Sequence, residues 1–353
     1  LERSAGVYDA VCDRSLLLLA DCWDAPGARE AARANLRLNL HLLHADGAAE
    51  TGLSRRQDYD QRVVPASLVA SYLHSAARDP DPVFVRAAQW LWSRATPGLG
   101  DTVWTAVSLL RDGEPAPSAA TLPDDFACLY PHNGLWRVRR GALSVSCFRD
   151  SVRLLALHFG QAELSSVSIA QSYFGCGQFI ADTLTVADGA TTLRSDGQRR
   201  SRRPGYDQPL GRPVPPEQWA ERLAERENRP APPATSTLTI GEASGGLALR
   251  YQTLAGLDRV TTQIAFDFPP GGAWETGDTA VIPQAGQVLF LKQGYGVMRY
   301  GNDAIRIGPG ADAHRMWQMR DADPPRDRAR VLLTFTTPID HTFSITGLHG
   351  LGG

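Results

Sequence analysis

The sequence predicts an α+β protein in which N-terminal antiparallel helical hairpins are followed by a large antiparallel β-sandwich. Three observations carry this. Up to about residue 111 apolar residues recur at helical spacing, as do Leu36, Leu40 and Leu43 in AREAARANLRLNLHLLH. Between Cys128 and Gly160 the period changes to two: Leu143, Val145 and Cys147 alternate with Ser144 and Ser146, as in a half-buried strand. Beyond Gly134 strand-like segments then follow one another with a single Pro/Arg-rich interruption. The expected domains are residues 1–120, helical, and residues 121–353, the sandwich, with an excursion at 197–236.

The helical half reads as short helices with short connections. YDAVCDRSLLLLADCW precedes a Pro26-Gly27 break, and AREAARANLRLNLHLLH is expected to run to Asp46-Gly47. Pro65 suits the first turn of PASLVASYLHSAA. PVFVRAAQWLWSRA and DTVWTAVSLLRD follow, with Asp101 as the expected N-cap of the latter. The strands expected next are LWRVRRG, LSVSCF, LLALHFG, ELSSVSIAQSYFG, QFIADTLTV, GLALRYQTL, RVTTQIAFDF, QVLFLK, YGVMRYG, AIRIG, RVLLTFTT and HTFSITG. A dozen such strands without helices between them argue for antiparallel pairing. The excursion carries one short helix near Pro216–Glu227, and its Arg199, Arg200, Arg202 and Arg203 could form an anion-binding rim.

Composition excludes several classes. With 353 residues and 43% hydrophobic content, the chain can bury a sizeable core. A net charge of −2 and a pI near 6.5 give no global field for nucleic acid or a membrane surface. No apolar run approaches the roughly 20 residues of a membrane span. The start, LERSAGVYDA, lacks the pattern of a signal peptide, yet a first residue of Leu rather than Met leaves room for a removed export signal or upstream region, so the chain is either cytoplasmic or exported. Cys12, Cys22, Cys128, Cys147 and Cys176 lack CxxC spacing and read as small core residues. There is no GxxxxGK[ST], no GxGxxG between strand and helix and no GxSxG, which argues against nucleotide enzymes and α/β serine hydrolases.

Several residues could carry chemistry. The polar loop ADGAAETGLSRRQDYDQR brings Arg55, Arg56, Asp58, Tyr59 and Asp60 together, so an arginine fork could hold an anion beside a phenol. At the junction of the two halves, Tyr130-Pro131-His132-Asn133 is rich in proton-transfer and hydrogen-bonding groups. His41 and His44, three residues apart on one helix, could form a metal pair, and so could His314 with Asp312. Trp136, Tyr173 and Tyr295 could stack on sugar rings.

SRRQDYD at 54–60, GLWRVRRGALSVS at 134–146, AELSSVSIAQSYFGCGQF at 162–179 and LKQGYGVMRYGNDAIRIGPG at 291–310 resemble the heparinase II/III-like polysaccharide lyases, whose helices form an incomplete toroid. About five helices are legible where a full toroid has more, so an upstream portion is expected to be missing or reduced. The glycine-histidine-alanine-aspartate phrase of many such lyases is absent; its nearest counterpart is His158-Phe159-Gly160-Gln161-Ala162-Glu163.

The resemblance implies β-elimination on a uronic-acid-containing polysaccharide or oligosaccharide, which needs a stabiliser for the carboxylate, a base for the adjacent proton and an acid for the leaving oxygen. On that logic Tyr59, His132 and His158 are the catalytic candidates, with Tyr206 as a second phenol. Arg55, Arg56, Asn133, Trp136 and Arg140 are the substrate-binding candidates. No cofactor is expected, a divalent metal in the sandwich being left open, and the partner is an acidic saccharide rather than nucleic acid or membrane. Two other readings stand beside this: a glycoside hydrolase pairing Asp58 or Asp60 with Glu163, and a non-catalytic carbohydrate-binding protein.

Overall fold

The computed structural model describes residues 4–23, 25–173, 177–198, 205–206, 215–225, 228–319 and 322–350. Its contacts divide the chain into two compact units: one runs through Phe148 and includes Leu155–Ser165, the other comprises Arg149–Leu154 and the chain from Ser166 onward. The architecture is that of helices leading into two large, mainly antiparallel sheets. Among the described residues no helix is long and apolar enough to cross a membrane.

The first unit contains α1 (Tyr8–Trp23), α2 (Pro26–Leu42), a 3-10 turn (Ala66–Leu68), α3 (Val69–Arg78), α4 (Pro82–Trp92) and α5 (Leu99–Asp112). Each start has a local cause. Asp81 caps α4 by accepting from the amides of Val83 and Phe84, with Pro82 in the first turn. The expected N-cap Asp101 sits instead in the first turn of α5, where its carboxylate accepts from the amide of Gly98 at 3.0 Å, so the N-cap is Gly98 and the helix begins three residues earlier than an Asp101 cap implies. Pro65 precedes the 3-10 turn rather than opening α3. Leu36, Leu40, Leu68, Tyr72, Phe84 and Leu91 form the core, Tyr72 meeting Phe84 edge-on at 5.2 Å, and each fully buried Leu or Phe contributes about 1.5–3 kcal/mol. α5 departs from the usual pattern: Thr105 and Ser108 are buried while Leu99, Val103, Val107 and Leu110 face outward. Cys12 and Cys22, expected in the core, lie exposed on α1, and only Cys147 is fully buried among the described cysteines.

The same unit holds β1 (Asp125–Tyr130), β2 (Leu135–Arg140), β3 (Leu143–Phe148), β4 (Leu155–Phe159) and the start of β5 (Ala162–Gln171), paired in that order as an antiparallel meander. β1 was not among the expected strands. The half-buried reading of β3 is also corrected: all six residues are buried, Ser144 and Ser146 included.

The second unit contains the rest of β5, then β6 (Thr183–Ala187), β7 (Ala190–Ser195), β8 (Gly205–Tyr206), α6 (Trp219–Ala224), β9 (Asn228–Arg229), β10 (Thr235–Ala243) and β11 (Gly246–Ala255). β12 (Thr261–Phe268), β13 (Ala273–Glu275), β14 (Ala280–Val281), β15 (Val288–Phe290), β16 (Gly296–Tyr300), β17 (Asp303–Gly308), β18 (Ala329–Thr336) and β19 (Asp340–His349) complete it. One layer has the order β5-β12-β18-β15 and the other β14-β13-β16-β17-β19-β11-β10-β7-β6. Phe266 of β12 meets Phe343 of β19 edge-on at 5.7 Å, so the two layers share a core. β7 and β10 add to the expected strands, and β15 pairs with β18 in parallel, an exception to the antiparallel reading. Cys176 and the arginines at 199, 200, 202 and 203 lie outside the described residues, as does the side chain of Tyr206.

Candidate functional site

A buried polar cluster of the first unit forms where α2 ends. α2 stops at Leu42, short of the expected Asp46, because Leu43 turns extended and bridges to Ala49. Carbonyls at a helix end need donors, and two arginines of β2 supply them. The Arg137 Nε donates to the carbonyl of His41 at 3.0 Å and its Nη2 to that of Leu43 at 3.3 Å, while the Arg139 Nη1 reaches Leu43 as well, at 3.1 Å. Positive charge there also complements the negative end of the helix dipole.

Arg137 is fully buried. Its Nη1 lies 3.0 Å from each of Ser144 Oγ, Val145 O and Ser146 Oγ. Burial pushes the guanidinium down to about 10, against the pull of the Glu50 carboxylate. Ser146 links the two charges by donating to Glu50 at 2.5 Å, and the amide of Gly52 donates to the other Glu50 oxygen at 2.8 Å. Arginine and carboxylate are therefore both buried and both hydrogen-bonded, the condition under which buried charge is tolerated.

On this frame sit two histidines. His44 Nδ1 is 2.8 Å from Ser144 Oγ, and its Nε2 is 3.8 Å from Glu50. Burial, with the positive fields of His158 and Arg137 behind it, holds His44 well below the usual histidine range, so it is neutral at ordinary pH. Arg137 can only donate to Ser144, so the serine's own proton is available to His44 Nδ1, which leaves the imidazole proton on Nε2, towards Glu50. His158, on β4, lies against His44 with ring centroids 3.9 Å apart. The Arg62 Nη1 is 3.4 Å from His158 Nδ1 and 2.8 Å from Glu163, and its Nη2 contacts Asp46. Ser165 donates to the second Glu163 oxygen at 2.6 Å. A histidine held between an arginine–glutamate pair and a neutral imidazole is equipped to move a proton.

A second histidine contact lies beside this one. His41 Nδ1 contacts the hydroxyl of Tyr130 and its ring stacks on Phe126 at 4.3 Å. Burial, then Arg137, lowers the His41 pKa, and burial raises the Tyr130 phenol above its ordinary range. His41 and His44 therefore have different partners. Among the described residues no group of three or more His, Cys, Asp or Glu side chains is placed to hold a metal ion. His314 Nε2 faces the carbonyl of Thr262 at 3.0 Å, and Asp312 pairs with Arg315.

The other sequence candidates are dispersed. Tyr59 stands 42% exposed in the turn that follows Arg56, within the loop that also delivers Glu50 and Arg62. Arg55 is exposed. Arg56 donates to the hydroxyl of Tyr8 at 2.8 Å and lies over that ring. Asp58 is buried and accepts from Ser4, Ser54 and the amide of Gly6, so its two oxygens tie the loop to the residues that precede α1. His132 and Asn133 occupy the exposed turn between β1 and β2. Trp136 is 5% exposed, and Arg140 pairs across the strands with Asp125 at 2.8 Å. In the second unit Tyr173 is buried, whereas Tyr295 is exposed beneath Arg306. Of the candidates, His158 and Glu163 are the ones the cluster brings together. Glu50, Arg62, Arg137 and Ser144 complete it without having been singled out, and His44 enters through its contacts with Ser144 and His158.

The chain shares its fold with a solved heparinase III. That structure, of a methylated-lysine heparinase III gene product, is 8% identical and matches over 97% of this chain and 51% of its own, with a TM-score of 0.50. The chain thus spans about half the length of that protein. A mutant heparan sulfate lyase from Pedobacter heparinus is also 8% identical, over 94% of this chain and 57% of its own, with a TM-score of 0.35. No protein-family model matches the sequence, and neither does any curated protein.

Proposed function

We propose that this chain belongs to a carbon–oxygen lyase that cleaves a uronic-acid-containing polysaccharide or oligosaccharide by β-elimination, with His158 as a proton-transfer group. The observation that carries this reading is the packing of His158 against the neutral, buried His44, with Arg62 and Glu163 at its other side. Elimination needs a base beside the sugar ring at neutral pH, and an imidazole oriented by fixed neighbours supplies one. Arg62 places positive charge at the same point, where a carboxylate that gains electron density would be stabilised. Tyr59, exposed on the loop that carries Arg62, is the phenol proposed to protonate the leaving oxygen. The lyase-like fold supports the reading without fixing the substrate.

The test is incubation with a panel of uronic-acid polysaccharides and oligosaccharides, following the ultraviolet absorbance of an unsaturated uronate alongside release of reducing ends. A rise in both is expected. Reducing ends without absorbance would mean hydrolysis. Binding with neither signal would mean a carbohydrate-binding protein without turnover.

A further inference from the structure

An open cavity of about 510 Å³ lies within the first unit, between the end of α2, one face of α4, the 118–124 segment and Arg139 of β2. Its volume falls in the range of roughly 300–1,000 Å³ typical of small-ligand sites. The chemistry of its wall is specific. Arg86 and Trp90 are four residues apart on α4 and so share a face of the helix. Arg86 is half-buried, yet its guanidinium has no hydrogen-bond or ion-pair partner among the described residues. This contrasts with Arg137 and Arg139, whose guanidinium groups are held by backbone carbonyls.

The wall is also built in advance of any ligand. Ser118 ties the 118–124 segment to α4, its hydroxyl donating to the carbonyl of Pro82 at 2.6 Å and its amide to the side chain of Gln89 at 3.3 Å. In the turn after α2 Gly47 adopts φ +97°, and a Cβ there would sit 3.0 Å from Arg94 and 3.6 Å from the indole of Trp90, so glycine lets that turn close against both. Arg94 lies over the Trp90 ring at 4.4 Å, which holds the indole in place. Asp124 also lines the cavity, where it is exposed and its field falls on Arg139.

We infer that this cavity is a binding subsite for one anionic sugar unit, a carboxylated or sulfated pyranose, with Arg86 taking the anion and Trp90 flanking the ring. A guanidinium fork matches carboxylate and sulfate alike, and an indole offers a large apolar face beside it. His44 forms part of the same wall while its ring rests on His158, so a sugar bound here neighbours the proton-transfer pair. The inference rests on the acidic-saccharide reading above and adds to it a site and a recognition group.

The experiment is calorimetric titration of the full chain with a tetrasaccharide of alternating glucuronate and N-acetylglucosamine, and with the neutral N-acetylglucosamine tetrasaccharide as control. The Trp90 indole N–H signal, identified by its absence in Trp90→Phe, is followed by NMR in parallel. The acidic tetrasaccharide should bind at least about ten-fold more tightly than the neutral one and should shift the Trp90 signal. Arg86→Gln should remove most of that preference, a tenfold loss corresponding to about 1.4 kcal/mol. Unchanged affinity in Arg86→Gln, an unmoved Trp90 signal, or equal binding of the neutral sugar would each overturn the inference. Arg86 projects from a half-exposed helix face, so its variant keeps the test open should Trp90→Phe prove unstable. Because the readout is binding, the two proposals fail separately: elimination with unaltered Arg86→Gln binding removes only the subsite, and Arg86-dependent binding without elimination removes only the lyase.

Discussion

The imidazole rings of His44 and His158 lie against each other, their centroids 3.9 Å apart and their planes 34° from parallel. Two protonated imidazoles at that distance would repel strongly in a buried site, and burial already keeps His44 neutral. The pair therefore offers His158 a rigid uncharged wall on one side and the Arg62–Glu163 pair on the other.

Replacing His158 with alanine should lower kcat for elimination by about 10²- to 10⁴-fold, the usual worth of a positioned acid–base group. Affinity for an acidic oligosaccharide should change far less. Ultraviolet progress curves set beside calorimetric binding separate the two effects. A variant that keeps more than a third of wild-type kcat would show that another group moves the proton.

Tyr59→Phe tests the second proton. The variant keeps the ring, which is 42% exposed, and removes the hydroxyl alone, so stability should change by no more than about 0.5 kcal/mol, as for a surface substitution. If the phenol protonates the leaving oxygen, turnover should fall at least about 100-fold while urea midpoints stay together. Turnover unaltered in Tyr59→Phe would remove the tyrosine from the mechanism.

The division into helices and antiparallel sheets was legible because hydrophobic period depends on local sequence: YDAVCDRSLLLLADCW coincides with α1 to the residue. The end of α2 was not legible. Its apolar spacing continues through Leu43, but the chain leaves the helix where Arg137 and Arg139 take up its carbonyls, and those arginines are nearly 100 residues away. The site was hidden for a related reason. Arg137 and Arg139 occupy one face of β2 and pair in register with Ser146 and Ser144 of β3, a pattern that reads as a solvent face. Only tertiary burial makes it a polar core. His158 was found from its local phrase, whereas His44 drew attention through helical spacing with His41, a pairing that the different partners of the two rings do not reproduce.

Asp13 gives the stability of the helical part a pH dependence. Its carboxyl is fully buried between α1 and α2, with Asn35 Nδ2 3.0 and 3.1 Å from its two oxygens, and burial, opposed by Asn35 and reinforced by Asp9, raises it to about 8. The unfolded chain ionises this group near its ordinary value of about 4. Between about pH 4 and about pH 8 the unfolded state therefore binds fewer protons than the folded one, and stability falls as pH rises through that window. Melting temperature should decline from about pH 5 to about pH 8 in the wild type and decline less in Asp13→Asn. Parallel pH curves for the two proteins would rule this account out.

Arg137 should be the most costly single residue of the first unit to replace. Arg137→Met keeps much of the volume but removes the donors to His41, Leu43, Ser144, Val145 and Ser146, and leaves the Glu50 carboxylate, 2% exposed, without its buried counter-charge. Breaking a buried pair by removing one partner costs about 3–5 kcal/mol, so the urea midpoint should fall by an amount corresponding to that range. The double variant Arg137→Met with Glu50→Gln no longer buries an unpaired charge and should recover part of the loss. A double variant no more stable than Arg137→Met would show that the penalty comes from the uncapped end of α2, and not from Glu50.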